Sequence, residues 1–96
     1  MQHIKSFNSI DVSLPGFQRC LKKSPHRAQF EAALIDLLSD PIPGALGFKK
    51  LKGYRNPALY SIVVGGNHAY KISMEIRDGV AIMRRAGTHN EIDDNP

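Results

Sequence analysis

The chain has one cysteine, no tryptophan, no long apolar run and, through its middle, no acid. Cys20 is alone among 96 residues, so no internal disulfide can form. No cysteine pair is present to begin a zinc site either. A disulfide scaffold and a zinc finger are thereby excluded, and a reducing compartment is expected. Cys20 lies in a helix-like stretch and reads as a small packing residue rather than a nucleophile. No apolar run approaches the roughly 20 residues that cross a bilayer, so no membrane partner is expected. The opening "MQHIKSFNSI" lacks the apolar core of an export signal, which points to the cytoplasm. Internal repeats and low-complexity segments are also lacking. One domain over residues 1–96 with one modest core is the expectation.

The missing acids give the charge its shape. The formal net charge is +4. Three of the nine acids, Glu91, Asp93 and Asp94, fall in the last six residues. Between Pro41 and Met74 there is none, while Lys49, Lys50, Lys52, Arg55 and Lys71 all fall there. A field of one sign attracts polyanions and speeds their encounter. Clustering favours a nucleic acid or an acidic protein partner over a merely solvated surface.

Periodicity supplies the elements. Residues 9–13, "SIDVS", fit a short strand. Phe17 and Leu21 share a face of a first helix over residues 15–23. "SPHRAQFEAALIDLLSD" predicts a second helix, with Ser24 as its cap, Pro25 at its first position and Phe30, Ala33, Leu34, Leu37 and Leu38 as its apolar stripe. Pro41 and Pro43 end it. "PIPGALGFKKLKGYRNP" reads as a long connection anchored by Leu46, Phe48 and Leu51. Three strands follow: "ALYSIVV", then "HAYKISMEIR" after a Gly65–Gly66–Asn67 turn, then "VAIMRRAG" after Asp78–Gly79. The order β-α-α-β-β-β predicts an α+β domain, an antiparallel sheet with a helical hairpin packed on one face. The opposite, basic face is expected to be free.

A two-residue turn at Asp78–Gly79 pairs Arg77 with Val80. Continuing outward, Met74 faces Met83, Ser73 faces Arg84 and Lys71 faces Ala86. Lys71 and Arg84 are then neighbours on the free face, and Arg85 falls at the edge of the core side beside Ile72. Gly87 is expected to break the strand and release His89 from its alternation. The polar tail, residues 90–96, is expected to fray.

The basic groove so formed suits phosphodiester chemistry. Fixed positive charge would meet the charge that grows on phosphorus. Proton transfer would need a group such as histidine. An RNA target brings its own nucleophile, the 2′-hydroxyl, so no cofactor and no metal is required. His3, His26, His68 and His89 are scattered and are not flanked by acids in a metal-ligand pattern. Each candidate also has a plain reading: His89 and His68 as surface histidines, "KKLK" as a solvated loop, Arg84 and Arg85 as keepers of a soluble strand edge.

The ordered set "FKKLKG", "YSIVVGGNHAYKISMEI" and "RRAGTHNEI", with the hairpin "FQRCLKK…FEAALIDLLSDP" before it, resembles the RelE/ParE superfamily of toxins from bacterial toxin–antitoxin pairs. The resemblance covers nearly the whole chain, and its β-α-α-β-β-β order is the one periodicity gives. It implies a metal-independent, ribosome-dependent mRNA endoribonuclease of the RelE-like branch, a translation inhibitor. The alternatives it implies are a non-enzymatic ParE-like toxin that binds DNA gyrase, or a toxin-fold protein with weakened activity. By position it assigns Lys50 and Lys52 to the basic loop near the scissile phosphate, Lys71 to transition-state stabilisation and His89 to proton transfer. Lys49, Arg55, Arg84 and Arg85 would bind RNA. It also implies an acidic antitoxin, and so a toxin–antitoxin hetero-oligomer. Lys71 stands where the family usually has arginine, losing the planar fork. Asp93 stands where many members have an aromatic.

Overall fold

Alternation and turn chemistry account for most of the sheet. The computed structural model describes residues 9–39, 42–54, 58–65, 69–94 and 96. Along the chain they form β1 (Ser9–Asp11), α1 (Pro15–Lys23), α2 (Arg27–Leu37), a 3₁₀ turn (Gly44–Leu46), β2 (Lys49–Lys50), β3 (Tyr60–Val64), β4 (Tyr70–Arg77), β5 (Val80–Thr88) and α3 (His89–Asp94). The molecule is thus α+β, with a five-stranded sheet and three α-helices among the described residues.

The sheet is mixed, not wholly antiparallel as expected. Its strand order is β1-β5-β4-β3-β2. The chain crosses from the β1 edge to the β2 edge through the helical hairpin, then walks back as an antiparallel meander. That walk brings β5 alongside β1 in the same direction, pairing Ser9 with Val80 and Asp11 with Ile82. Parallel neighbours need such a long connection, and here nearly the whole fold supplies it. β2 is the second departure: Lys49 and Lys50, expected in a loop, pair with Ser61 and Tyr60.

The core lies between the helical hairpin and one face of the sheet. Phe17 and Leu21 from α1 meet Phe30, Ala33, Leu34 and Leu37 from α2 and Ile62, Val64, Ile72, Met74, Ala81, Met83 and Ala86 from the strands. Leu46 is buried against this cluster, and Phe48 packs on it while stacking on Tyr60 with ring centroids 5.5 Å apart. The α2 stripe is shorter than expected, because Leu38 caps the helix and is 42% exposed. The start of α2 also differs. Ser24 caps the end of α1, and its Oγ accepts from the His26 N–H at 3.1 Å. The proline therefore sits in the turn between the helices, and α2 begins at Arg27.

The β4–β5 hairpin turns through Asp78 and Gly79, both at positive φ (53° and 79°), as a turn matched to strand twist requires. Pairing follows the expected register from Arg77–Val80 to Met74–Met83. There a β-bulge intervenes, and Ser73 pairs with Arg85, Ile72 with Ala86 and Lys71 with Gly87. Arg84 is the extra residue. A bulge leaves one residue unpaired and shifts everything beyond it by one, which puts Ala86 rather than Arg85 beside Ile72.

The far face of the sheet is not free. Ser61, Lys71, Ser73 and Glu75 are all buried. α3 packs against β4 and β5, on the side of Lys71, to which it is bonded. Residues 90–94, part of the tail expected to fray, lie in this helix, and Ile92 is only 1% exposed. No helix among the described residues is long and apolar enough to cross a membrane.

Candidate functional site

The end of β5 assembles the site. The strand does not break at Gly87, which pairs with Lys71, but runs on to Thr88. The glycine serves a close approach instead: a Cβ there would meet Glu91 Oε1 at 3.4 Å. That carboxylate accepts from the Thr88 N–H at 3.1 Å, while the Glu91 N–H donates to Thr88 Oγ1 at 3.3 Å. The reciprocal pair is a capping box, and it starts α3 at His89. Bonding to the Thr88 backbone and hydroxyl holds the Glu91 carboxyl below its ordinary range. The His89 N–H donates to the Ala69 carbonyl at 2.9 Å, fixing the histidine beside the start of β4.

One helical turn after His89 comes Asp93. Lys71 Nζ donates to its Oδ1 at 2.8 Å, and His89 Nδ1 lies 2.9 Å from its Oδ2. The lysine is 2% exposed, whereas the aspartate side chain is 38% exposed and the histidine 47%. A carboxylate at the rim thus joins an inner ammonium to an outer imidazole. The hydrogen bond from Lys71 is the main reason the Asp93 carboxyl sits below its usual range. Partial burial opposes this, and the charges of Lys71, His89 and Lys49 reinforce it.

Of the residues named from the sequence, Lys71 and His89 come together, and Lys49 stands near enough for its charge to be felt at Asp93. Lys49 pairs with Ser61, so strand alternation puts it on the Lys71 side and Lys50 on the other. Lys50 and Lys52 line a separate shallow depression with Leu51, Gly53 and Tyr54. Arg84 is not beside Lys71: its Nη1 donates to Glu75 Oε1 at 3.3 Å, and Arg77 donates to the same carboxylate. Arg85 is exposed and shares a hollow with Arg19, Lys23 and Glu91. Arg55, His3 and His68 lie outside the described residues.

Comparison of the chain with family models, curated proteins and solved structures returns no match. The geometry of the residues is therefore what bears on function.

Three further polar groups matter here: Asp93, His26 and Tyr70. Asp93, a departure from the family's usual aromatic, links the two site residues. The signal was present: "THNE" has the Ser/Thr-x-x-Glu pattern of a capping box, and a helix starting there stacks Asp93 on His89 four residues away. His26 and Tyr70 carry no such signal, being 44 residues apart. Tyr70 Oη and His26 Nε2 share a hydrogen bond at 2.6 Å, with their rings 4.4 Å apart. They line a cleft of about 410 Å³ with Cys20, Phe30 and Thr88, between the helical hairpin and the end of the sheet.

Proposed function

We propose that this protein is a toxin of the RelE/ParE type, held in check by an antitoxin, that cuts mRNA on the ribosome in the cytoplasm. The observation that supports this reading best is Lys71 and His89 converging on a single anion, the Asp93 carboxylate. A phosphodiester in that position would have an ammonium against its non-bridging oxygens and an imidazole at a bridging one. The 2′-oxygen attacks phosphorus as its proton leaves to a base. The bond from phosphorus to the 5′-oxygen breaks, and that oxygen takes up a proton. The products are a 2′,3′-cyclic phosphate and a 5′-hydroxyl end. His89 serves one of the two proton transfers, and Lys71 stabilises the extra charge on the phosphoryl oxygens. The element order, the basic central stretch and the ordered sequence motifs are consistent with the family.

Purified protein added to translating ribosomes should cut mRNA. His89→Ala and Lys71→Ala should each lose 10²-fold or more, about the share that proton transfer and charge stabilisation supply. Intact mRNA with wild-type protein would overturn the reading.

A second reading has one observation in its favour. The near-complete burial of Lys71 suits a structural lysine, and so a ParE-like toxin that binds gyrase without chemistry. Inhibition of supercoiling with no mRNA cutting would select it.

A further inference from the structure

Three buried side-chain polar atoms among the described residues have no hydrogen-bond partner: Ser61 Oγ, Ser73 Oγ and Arg84 Nε. Native proteins leave few such groups, because each forfeits its hydrogen bonds to water. Here all three belong to one face of the sheet. Ser61 and Ser73 are directly opposed on β3 and β4, and both are fully buried. Lys71 is two residues from Ser73 on the same strand and face, and Lys49 pairs with Ser61 from the edge. Arg84 is held to that face by Glu75, itself two residues from Ser73.

Every unsatisfied atom in this set can donate. Hydroxyls and a guanidinium N–H beside two ammonium groups call for a ligand with several acceptor oxygens and negative charge. Asp93 meets that need only in part. Its two oxygens are used by Lys71 and His89, and neither reaches a serine. It is a half-open rim group on a helix of six residues. His89 is tied to Ala69 and to the capping box at the helix start, whereas Asp93 sits on the last turn. Fraying of Asp93 and Asp94 alone, past the buried Ile92, frees the carboxylate and leaves the histidine in place.

We infer that this inner face is a binding site for a phosphodiester of single-stranded RNA, with Ser61, Ser73, Lys49 and Arg84 as additional ligands, and that the Asp93 carboxylate fills its outer end until the strand displaces it. This rests on the phosphodiester reading of Lys71 and His89 and adds to it the floor of the site and its resident competitor. A tetrahedral phosphate has more acceptors than a carboxylate, so it reaches inward to the serines while keeping Lys71. The competitor lowers apparent affinity in proportion to the time it spends in place.

The test uses a fluorescent 2′-O-methyl RNA hexamer, which cannot be cut, titrated into the full chain. Asp93→Asn should bind about tenfold more tightly than wild type, as expected if the site is open about a tenth of the time. Adding Ser73→Ala or Lys71→Met to Asp93→Asn should reverse the gain. Equal or weaker binding by a folded Asp93→Asn protein overturns the inference. Should that variant not fold, hydrogen exchange of wild-type residues 92–94 decides. Faster exchange with the hexamer bound supports displacement, and unchanged or slower exchange overturns it. Cutting is scored separately. Tighter binding without mRNA cutting leaves this site standing and removes the nuclease. Cutting by wild type without tighter binding in Asp93→Asn does the reverse.

Discussion

At the scale of single residues, Asp93 has two consequences that pull apart. Its carboxylate accepts from the nearly buried Lys71, so its loss leaves that ammonium uncompensated among the described residues. Truncating one member of a buried pair costs about 3–5 kcal/mol. Because Asp93 is partly open to solvent, about 1–2 kcal/mol is expected for Asp93→Asn. The pH dependence follows from the direction of its shift. A carboxyl held below its unfolded value, about 3.9, stabilises the fold fully above that value. The contribution is lost as pH falls through the lower, folded value. Thermal unfolding should therefore separate wild type from Asp93→Asn most widely near neutrality, and the gap should close below about pH 4. A constant gap across that range would mean that the ion pair is not what stabilises α3. The same substitution that weakens the fold should tighten RNA binding, a combination that a purely structural aspartate would not produce.

At the scale of elements, α3 is the piece on which the site depends. Ile92 anchors it, and the capping box starts it. Ile92→Ala should cost roughly 2–4 kcal/mol in denaturant unfolding, whereas a frayed tail would lose almost nothing. Thr88→Ala removes the cap and should lower the local stability of α3 by about 1 kcal/mol, visible as faster amide exchange over residues 89–94. The elements also show how far the sequence could be read. The β4–β5 hairpin was legible down to its residue pairs as far as Met74–Met83, because Asp78–Gly79 fixes the turn and alternation fixes the faces. Beyond that point the bulge at Arg84 shifted the register, and nothing in "MRRAG" announces an extra residue. The parallel seat of β1 was illegible for a different reason. A three-residue strand states that it pairs, but not with which neighbour, and the meander of the whole chain decides that. α3 was legible in principle, since "THNE" carries its capping signature, but a short, polar segment at the chain's end fits a solvated tail equally well. Of the candidate site, His89 and Lys71 were within reach, whereas their link through Asp93 needed the helix.

At the scale of the whole molecule, charge and burial set the terms on which a polyanion can bind. Among the described residues, exposed cations gather in two places, Lys49, Lys50 and Lys52 at the β2 edge and Arg19, Lys23 and Arg85 beside α1, while Lys22, Arg27 and Arg77 stand exposed outside them. The binding constant for single-stranded RNA should fall linearly with salt on a logarithmic plot, at about 0.7 per phosphate neutralised. Lys49→Ala should reduce that slope by about 0.7, and Lys22→Ala, on the exposed side of α1, should leave it unchanged. A slope near zero would show that the basic surface does not meet a polyanion at all.

In the function proposed, His89 and Lys71 act on a phosphodiester whose own 2′-hydroxyl is the nucleophile. The most direct measurement gives ribosomes two mRNAs that differ by a single 2′-deoxy sugar at the cut position and maps the 5′ ends. The all-ribose message should be cut by wild type and spared by His89→Ala, and the 2′-deoxy message should stay whole with both. Cutting of the 2′-deoxy message at the same position, or no cutting of either message by wild type, would contradict it.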